Sequence, residues 1–123
     1  MSVGVVDDIR GDVFSTSSTV RGDLVVVSLV GCLDMQTAPF LKHYLSQIAP
    51  SAESGTFREF EFNTEQLFLL SSSAISCLAT WLKGLKAIEH VRRVRFVTNP
   101  NLGWQRRSLD PLRRLADKLV SVD

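Results

Sequence analysis

A change of hydrophobic period constrains this chain more than any other feature. Leu24-Val25-Val26-Val27-Ser28-Leu29-Val30 is a β-branched apolar run closed by Gly31. Such a run fits a pleated, buried strand. Soon afterwards the period becomes helical. Phe40, Leu41, Tyr44, Leu45 and Ile48 repeat at helical spacing, with Lys42, His43, Ser46 and Gln47 on the other face. Thr37 is placed to cap this helix and Pro39 falls in its first turn, with a loop from Pro50 to Gly55. The alternation then recurs. Phe57-Arg58-Glu59-Phe60-Glu61-Phe62 has the two-residue period of a strand with one face inward. Leu67 to Leu70 is a short apolar stretch, followed by Ser71, Ser72 and Ser73. Ala74, Cys77, Leu78, Trp81, Leu82, Leu85 and Ile88 then mark one helical stripe. Val91 to Thr98 reads as a further strand, bounded by Asn99-Pro100. Leu102, Leu109, Leu112, Leu115 and Leu119 run along a last helical stretch whose second part Pro111 opens. Leu119 to Val122 reads as a short final strand.

Strands alternating with helices predict an α/β layer structure. Three helices are few, so a layer on one side of the sheet is expected. A chain of 123 residues can bury one core. A single domain over 1–123 is predicted, with residues 1–9 as a mobile tip and Asp12-Val13-Phe14 opening an edge strand before the polar run Ser15 to Thr19. Hydrophobic residues make up 45% and charged residues 22%, which argues against a wholly disordered chain. No apolar run is long enough to span a membrane. Met1 to Arg10 carries two acidic residues and no apolar core, unlike a secretory signal. Cys32 and Cys77 sit in apolar surroundings and read as two buried, reduced thiols of a cytoplasmic protein.

Net charge is +1 but uneven: residues 1–82 hold four Lys/Arg against nine Asp/Glu, and residues 83–123 hold ten against four. A basic third can meet nucleic acid or an acidic partner, or it can be the solvated faces of helices. Few aromatics interleave these charges, so solvated helix faces are the expectation and nucleic acid is not the expected partner. His43 and His90 have no Cys or Asp at metal-ligand spacing. The glycines form no phosphate loop, and no Ser/His/Asp set is evident. The expectation is a protein without catalysis, cofactor or metal.

The chemistry concentrates where a strand feeds a helix. The first residues of a helix present unpaired N–H groups that favour negative charge. A serine there caps the helix. A phosphate on it would add about −1.5 to −2 charge units that a partner could read. Ser71-Ser72-Ser73 therefore reads as a cap, a phosphoswitch or both. Asp34 fits the earlier strand–helix turn, where its carboxylate can bond local N–H groups. Trp81 reads as core. Trp104, beside Gln105-Arg106-Arg107, packs the last helix or meets a partner.

Gly31-Cys32-Leu33-Asp34-Met35-Gln36-Thr37-Ala38-Pro39-Phe40-Leu41 resembles the Gly-x-Leu-Asp-x-x-Thr-Ala signature of STAS domains. Phe60 to Ile75 resembles the family's second signature, a strand, loop and Asp-Ser-Ser/Thr-Gly helix start. The resemblance covers roughly residues 10–123 in element order. It implies a STAS-like α/β fold, a mixed sheet of four to five strands with helices mainly on one side. In the anti-sigma factor antagonist branch the serine after the aspartate is phosphorylated by the partner kinase, and this breaks the complex. The matching residue is Ser72. The sequence departs from the pattern at Ser71, Ala74 and Asn63, which stand where the family has Asp, Gly and Asp. Some STAS-like phosphoproteins that bind a diguanylate cyclase use the first hydroxyl of the run, which corresponds to Ser71; Ser72 ranks first and Ser71 second. The implied function is a regulatory protein-binding module whose partner is a serine kinase of the anti-sigma type or another regulator. Its binding face would comprise Asp34, Thr37, Ser71, Ser72, Ser73, Ser76, Thr80 and Lys83. The alternatives are a diguanylate cyclase regulator and a non-phosphorylated STAS subunit of an ATPase or transport complex.

Overall fold

The computed structural model describes residues 14–123. The expectations for residues 1–9, Asp12 and Val13 lie outside the described residues. The polar run after them is a strand: β1, Phe14–Arg21, forms an antiparallel hairpin with β2, Leu24–Leu33. Gly22 turns the hairpin with φ +63, a conformation favoured in two-residue loops. A Ser/Thr-rich strand fits the sheet edge because only one side of it needs to be dry. Phe14 and Thr16 are buried, and Ser17 and Thr19 are exposed.

Three strand–helix steps follow. α1, Ala38–Glu53, leads to β3, Glu59–Asn63; β4, Leu67–Leu70, leads through α2, Ser72–Lys86, to β5, Arg93–Val97; and α3, Gly103–Leu115, leads to β6, Val120–Val122. The sheet order is β1-β2-β3-β5-β6, with β4 beside β2. β1 is antiparallel to β2 and the remaining pairings are parallel, so the sheet is mixed. Every crossover moves toward the β6 edge, and right-handed connections place α1, α2 and α3 on one face. Side-chain burial agrees. Val25, Val27, Phe60, Phe62, Val94 and Phe96 are buried under the helices, while Glu59, Glu61, Arg93 and Arg95 take the alternate face. The α/β layer with helices on one side is as expected, but the sheet has six strands rather than four to five.

The core is aromatic at its centre. Phe62 stacks on Phe96 at 5.3 Å, and Trp81 meets Phe60 and Phe62 edge-on at 5.4 Å each. Such pairs add about 0.5–1.5 kcal/mol beyond simple burial. From the helices come Leu41, Tyr44, Ile48, Leu78, Leu82, Leu109 and Leu112.

Several local expectations need correction. Gly31 does not end β2. At φ +102 it bends the strand where its partner changes from β3 to β4. α1 continues through Pro50 to Glu53 instead of giving way to a loop. The ring is tolerated near the helix end, where few further bonds are lost. β3 starts at Glu59, because Asp23 accepts the N–H groups of Arg58 and Glu59 and ends the approach of Phe57. Pro111 lies inside one continuous α3 and does not open a second part. Phe40, read as a core residue, is exposed. Cys32 and Cys77 are half-buried free thiols rather than fully buried ones.

Candidate functional site

The site forms where β2 and β4 end side by side. Leu33 pairs with Leu70, and the Ser71 N–H donates to the Leu33 carbonyl at 2.7 Å. Both chains then leave the sheet, one through the Asp34–Thr37 turn into α1 and the other directly into α2.

The turn is held by reciprocal bonds. Asp34 Oδ1 accepts from the N–H groups of Gln36 at 2.8 Å and Thr37 at 2.9 Å. The Thr37 hydroxyl accepts from the Asp34 N–H and donates to the Cys32 carbonyl, both at 2.8 Å. These bonds, the Thr37 N–H first, hold the Asp34 carboxyl below its ordinary value. Thr37 is buried. Its hydroxyl turns back to the strand and does not cap the helix as the sequence suggested; the Asp34 carboxylate takes the N–H groups of the turn before α1, and the Ala38 and Phe40 N–H groups donate to the backbone carbonyls of Asp34 and Thr37.

The three serines have different surroundings. Ser71 is the N-cap of α2, and its Oγ accepts from the Ala74 N–H at 3.2 Å. Ser72, the first helical residue, is exposed, and its hydroxyl makes no hydrogen bond among the described residues. Ser73 is half-buried. Ser76, Thr80 and Lys83 are all exposed and continue from Ser72 along one face of α2 at helical spacing. A groove of about 320 Å³ runs beside this stripe between α1 and α2, lined by Leu45, Ser46, Cys77, Thr80 and Trp81 among others. Of the sequence-predicted face, Ser72, Ser76, Thr80 and Lys83 thus lie on one stripe. Asp34, Thr37 and Ser71 hold the backbone beneath it.

The sequence reading missed an apolar collar. Met35, Phe40, Phe68 and Leu69 are 74, 49, 62 and 46% exposed. Met35 lies in the turn, Phe40 in the first turn of α1, and Phe68 and Leu69 on β4 just before Ser71. A register shift accounts for part of this. Gly31 pairs with Leu67 and Cys32 with Leu69, so Phe68 has no partner and is turned outward by the bulge. A signal was present: adjacent Phe68 and Leu69 on a strand cannot both face one core.

Gln105 was missed as well. Its side chain is buried, donates to the carbonyls of Thr64 and Leu67 at 2.7 Å each, and accepts from the Asn99 N–H at 2.8 Å. It ties α3 to the start of β4. Its place on the Leu102–Leu109–Leu112 stripe was the available signal.

Among the described residues no group of three His, Cys, Asp or Glu could hold a metal ion, and no helix is long and apolar enough to cross a membrane. The basic third does not form one track. Arg92 pairs with Asp23 at 2.8 Å, Arg95 with Glu61 at 3.2 Å and with Asp123, and Arg113 and Arg114 share Asp110.

No family model matches the sequence, and no curated protein is significantly similar to it. Solved structures are similar in fold. An anti-sigma factor antagonist from Mycobacterium paratuberculosis superposes with a TM-score of 0.65 and 20% identity, over 85% of this chain and 84% of that one. The Bacillus cell fate determinant SpoIIAA in its phosphorylated form gives 0.59 and 20%, over 89% and 90%. The anti-sigma factor antagonist SpoIIAA in its unphosphorylated form gives 0.55 and 22%, over 76% and 78%. The chain therefore has the STAS-like fold of these proteins.

Proposed function

We propose that this chain is a regulatory docking module of the anti-sigma factor antagonist type, with Ser72 as the hydroxyl through which phosphorylation releases its partner. The observation that carries this reading is the exposed Ser72 hydroxyl at the start of α2, flanked by the segments that bear Met35, Phe40, Phe68 and Leu69. Apolar side chains gathered at one end of a molecule mark an interaction surface. A phosphate there would bring about −1.5 to −2 charges to an apolar contact, and desolvating them opposes binding. The same charge is compatible with the fold, because the N-terminal end of a helix favours an anion. The likeness to SpoIIAA, known in phosphorylated and unphosphorylated forms, supports the reading at the level of fold.

Ser71 is the weaker acceptor. Its hydroxyl is engaged as the helix cap, and its N–H is tied to Leu33. This favours the kinase-gated reading over the diguanylate-cyclase type, in which the first hydroxyl of the run is modified. A serine cap in place of the family's aspartate keeps the helix end intact and leaves no carboxylate beside the Ser72 hydroxyl. The partner is a serine kinase of the anti-sigma type or a related regulator, and the chain itself is a binding protein of the cytoplasm.

The test compares tagged native protein, Ser72→Ala, Ser72→Asp and Phe68→Ser recovered from the source cells. The reading expects one set of co-purifying proteins that Ser72→Ala retains and that both Ser72→Asp and Phe68→Ser lose. Equal recovery with all four proteins would sink it and favour a constitutive subunit.

A further inference from the structure

We propose that the solvent face of α3 is a second binding surface, an arginine-lined dent that takes an acidic segment of a protein partner independently of Ser72. Arg106, Arg107 and Arg114 surround a depression of about 340 Å³ whose other lining residue is Asp110. The spacing is helical: Arg107, Asp110 and Arg114 follow one line, and Arg106 lies one turn before Asp110.

The charge of Asp110 is already used. It accepts from Arg113 and from Arg114 at 2.9 Å each, and these bonds, with Arg113 first, hold its carboxyl below the ordinary value. Arg107 has no ion pair among the described residues, and Arg106 reaches only the Val122 carbonyl at 3.5 Å. The dent thus carries a surplus of positive charge that the fold does not satisfy.

Helix stabilisation does not account for this surplus. Arg113 and Arg114 lie in the last turn, where cations complement the helix dipole. Arg106 and Arg107 lie toward the first turn, where cations are disfavoured, and no acidic residue stands there to offset them. Core packing does not account for it either, since both residues are exposed.

An acidic protein segment fits better than nucleic acid. From Arg106 to Arg114 the helix rises only about 12 Å, which is too short a track to neutralise the six to ten or so phosphates of a typical site. One or two carboxylates match the two guanidinium forks, Arg106 and Arg107, that carry no ion pair among the described residues. On the sheet face opposite the helices Glu59 and Glu61 lie in register with Arg93 and Arg95, so that face offers no unbroken basic track for a polyanion.

The surface also joins the proposed docking end. α1, α2 and α3 all start at the carboxyl ends of parallel strands, so Arg106 and Arg107 lie at the same end of the molecule as Ser72, on the helix packed beside α2. One partner could span both without either contact depending on the other.

The experiment uses the full chain and two probes, a glutamate-rich peptide and a duplex DNA, followed by amide chemical shifts at about physiological salt. The proposal expects peptide-induced shifts centred on Arg106, Arg107 and Arg114. It expects at least a tenfold loss of peptide affinity in Arg106→Glu/Arg107→Glu and less than a twofold change in the control Arg92→Gln/Arg93→Gln at the start of β5. The milder Arg106→Gln/Arg107→Gln pair should fall between them if the effect is one of charge. Equal losses in the α3 and control variants, shifts spread over all basic residues, or tighter binding of the DNA than of the peptide would overturn it. None of these outcomes bears on Ser72, whose test is separate.

Discussion

Ser71 and Ser72 are adjacent hydroxyls with different work to do. Replacing a serine N-cap by alanine costs about 0.5–2 kcal/mol. Ser71→Ala should therefore lower stability by about 1 kcal/mol in urea unfolding, whereas Ser72→Ala, at an exposed and unbonded position, should stay within about 0.5 kcal/mol of the native protein. Equal effects would mean that the two hydroxyls share the cap. Asp34 gives a pH prediction. Its folded pKa lies below the ordinary 3.8 because the N–H groups of Thr37 and Gln36 favour the carboxylate. A depressed pKa contributes stability that is present above the unfolded value and is lost as pH falls through the folded one. The stability gap between the native protein and Asp34→Asn should be widest above pH 3.8 and should narrow in more acid solution. A gap that does not change across that range would contradict the assignment. The Asp34–Thr37 turn was readable because its residues bond one another locally. The division of labour between Ser71 and Ser72 was not, because it depends on where Leu33, from another strand, places its carbonyl.

At the scale of elements, β4 is the strand on which the site depends, and Gln105 fastens its start. Removing the Gln105 amide takes a partner from the Leu67 carbonyl and from the Asn99 N–H, while the Thr64 carbonyl keeps the Leu67 N–H. An unsatisfied buried group costs about 1–3 kcal/mol. Gln105→Leu, which keeps the volume nearly constant, should therefore destabilise the protein by at least about 2 kcal/mol and raise amide exchange at Leu69 and Leu70 ahead of the rest of the sheet. A uniform rise across the sheet would show that Gln105 stabilises the whole fold without selecting β4. The long elements were legible because their periods extend over many residues: β2, α1, α2 and the Phe60/Phe62 alternation of β3 follow directly from apolar spacing. The Ser/Thr strand β1 was harder to read, since an edge strand needs few apolar residues. β4 was harder still, because four residues carry too little periodicity and a bulge interrupts it. The collar formed by Phe68 and Leu69 therefore emerged only with the register.

Across the whole molecule, the uneven charge of the sequence is partly resolved by folding. The acids of β3 lie in register with the arginines of β5, Glu59 with Arg93 and Glu61 with Arg95, and Asp23 and Asp123 take Arg92 and Arg95. Exposed pairs of this kind contribute about 0–1 kcal/mol each, so they shape the surface more than they hold the fold. Arg106 and Arg107, which have no ion pair among the described residues, lie on the helix layer, which also bears the serine junction. The proposed docking side is that layer, with exposed apolar residues on the turn before α1, on α1 and on β4, and a basic flank at α3. The central claim is that the Ser72 hydroxyl controls this side. It is tested most directly by site-resolved phosphopeptide mass spectrometry on the protein isolated from its native cells under growth and stress. The account predicts phosphate on Ser72 with Ser71 and Ser73 unmodified. Phosphate on Ser71, or a fully covered peptide without phosphate under every condition, would contradict it.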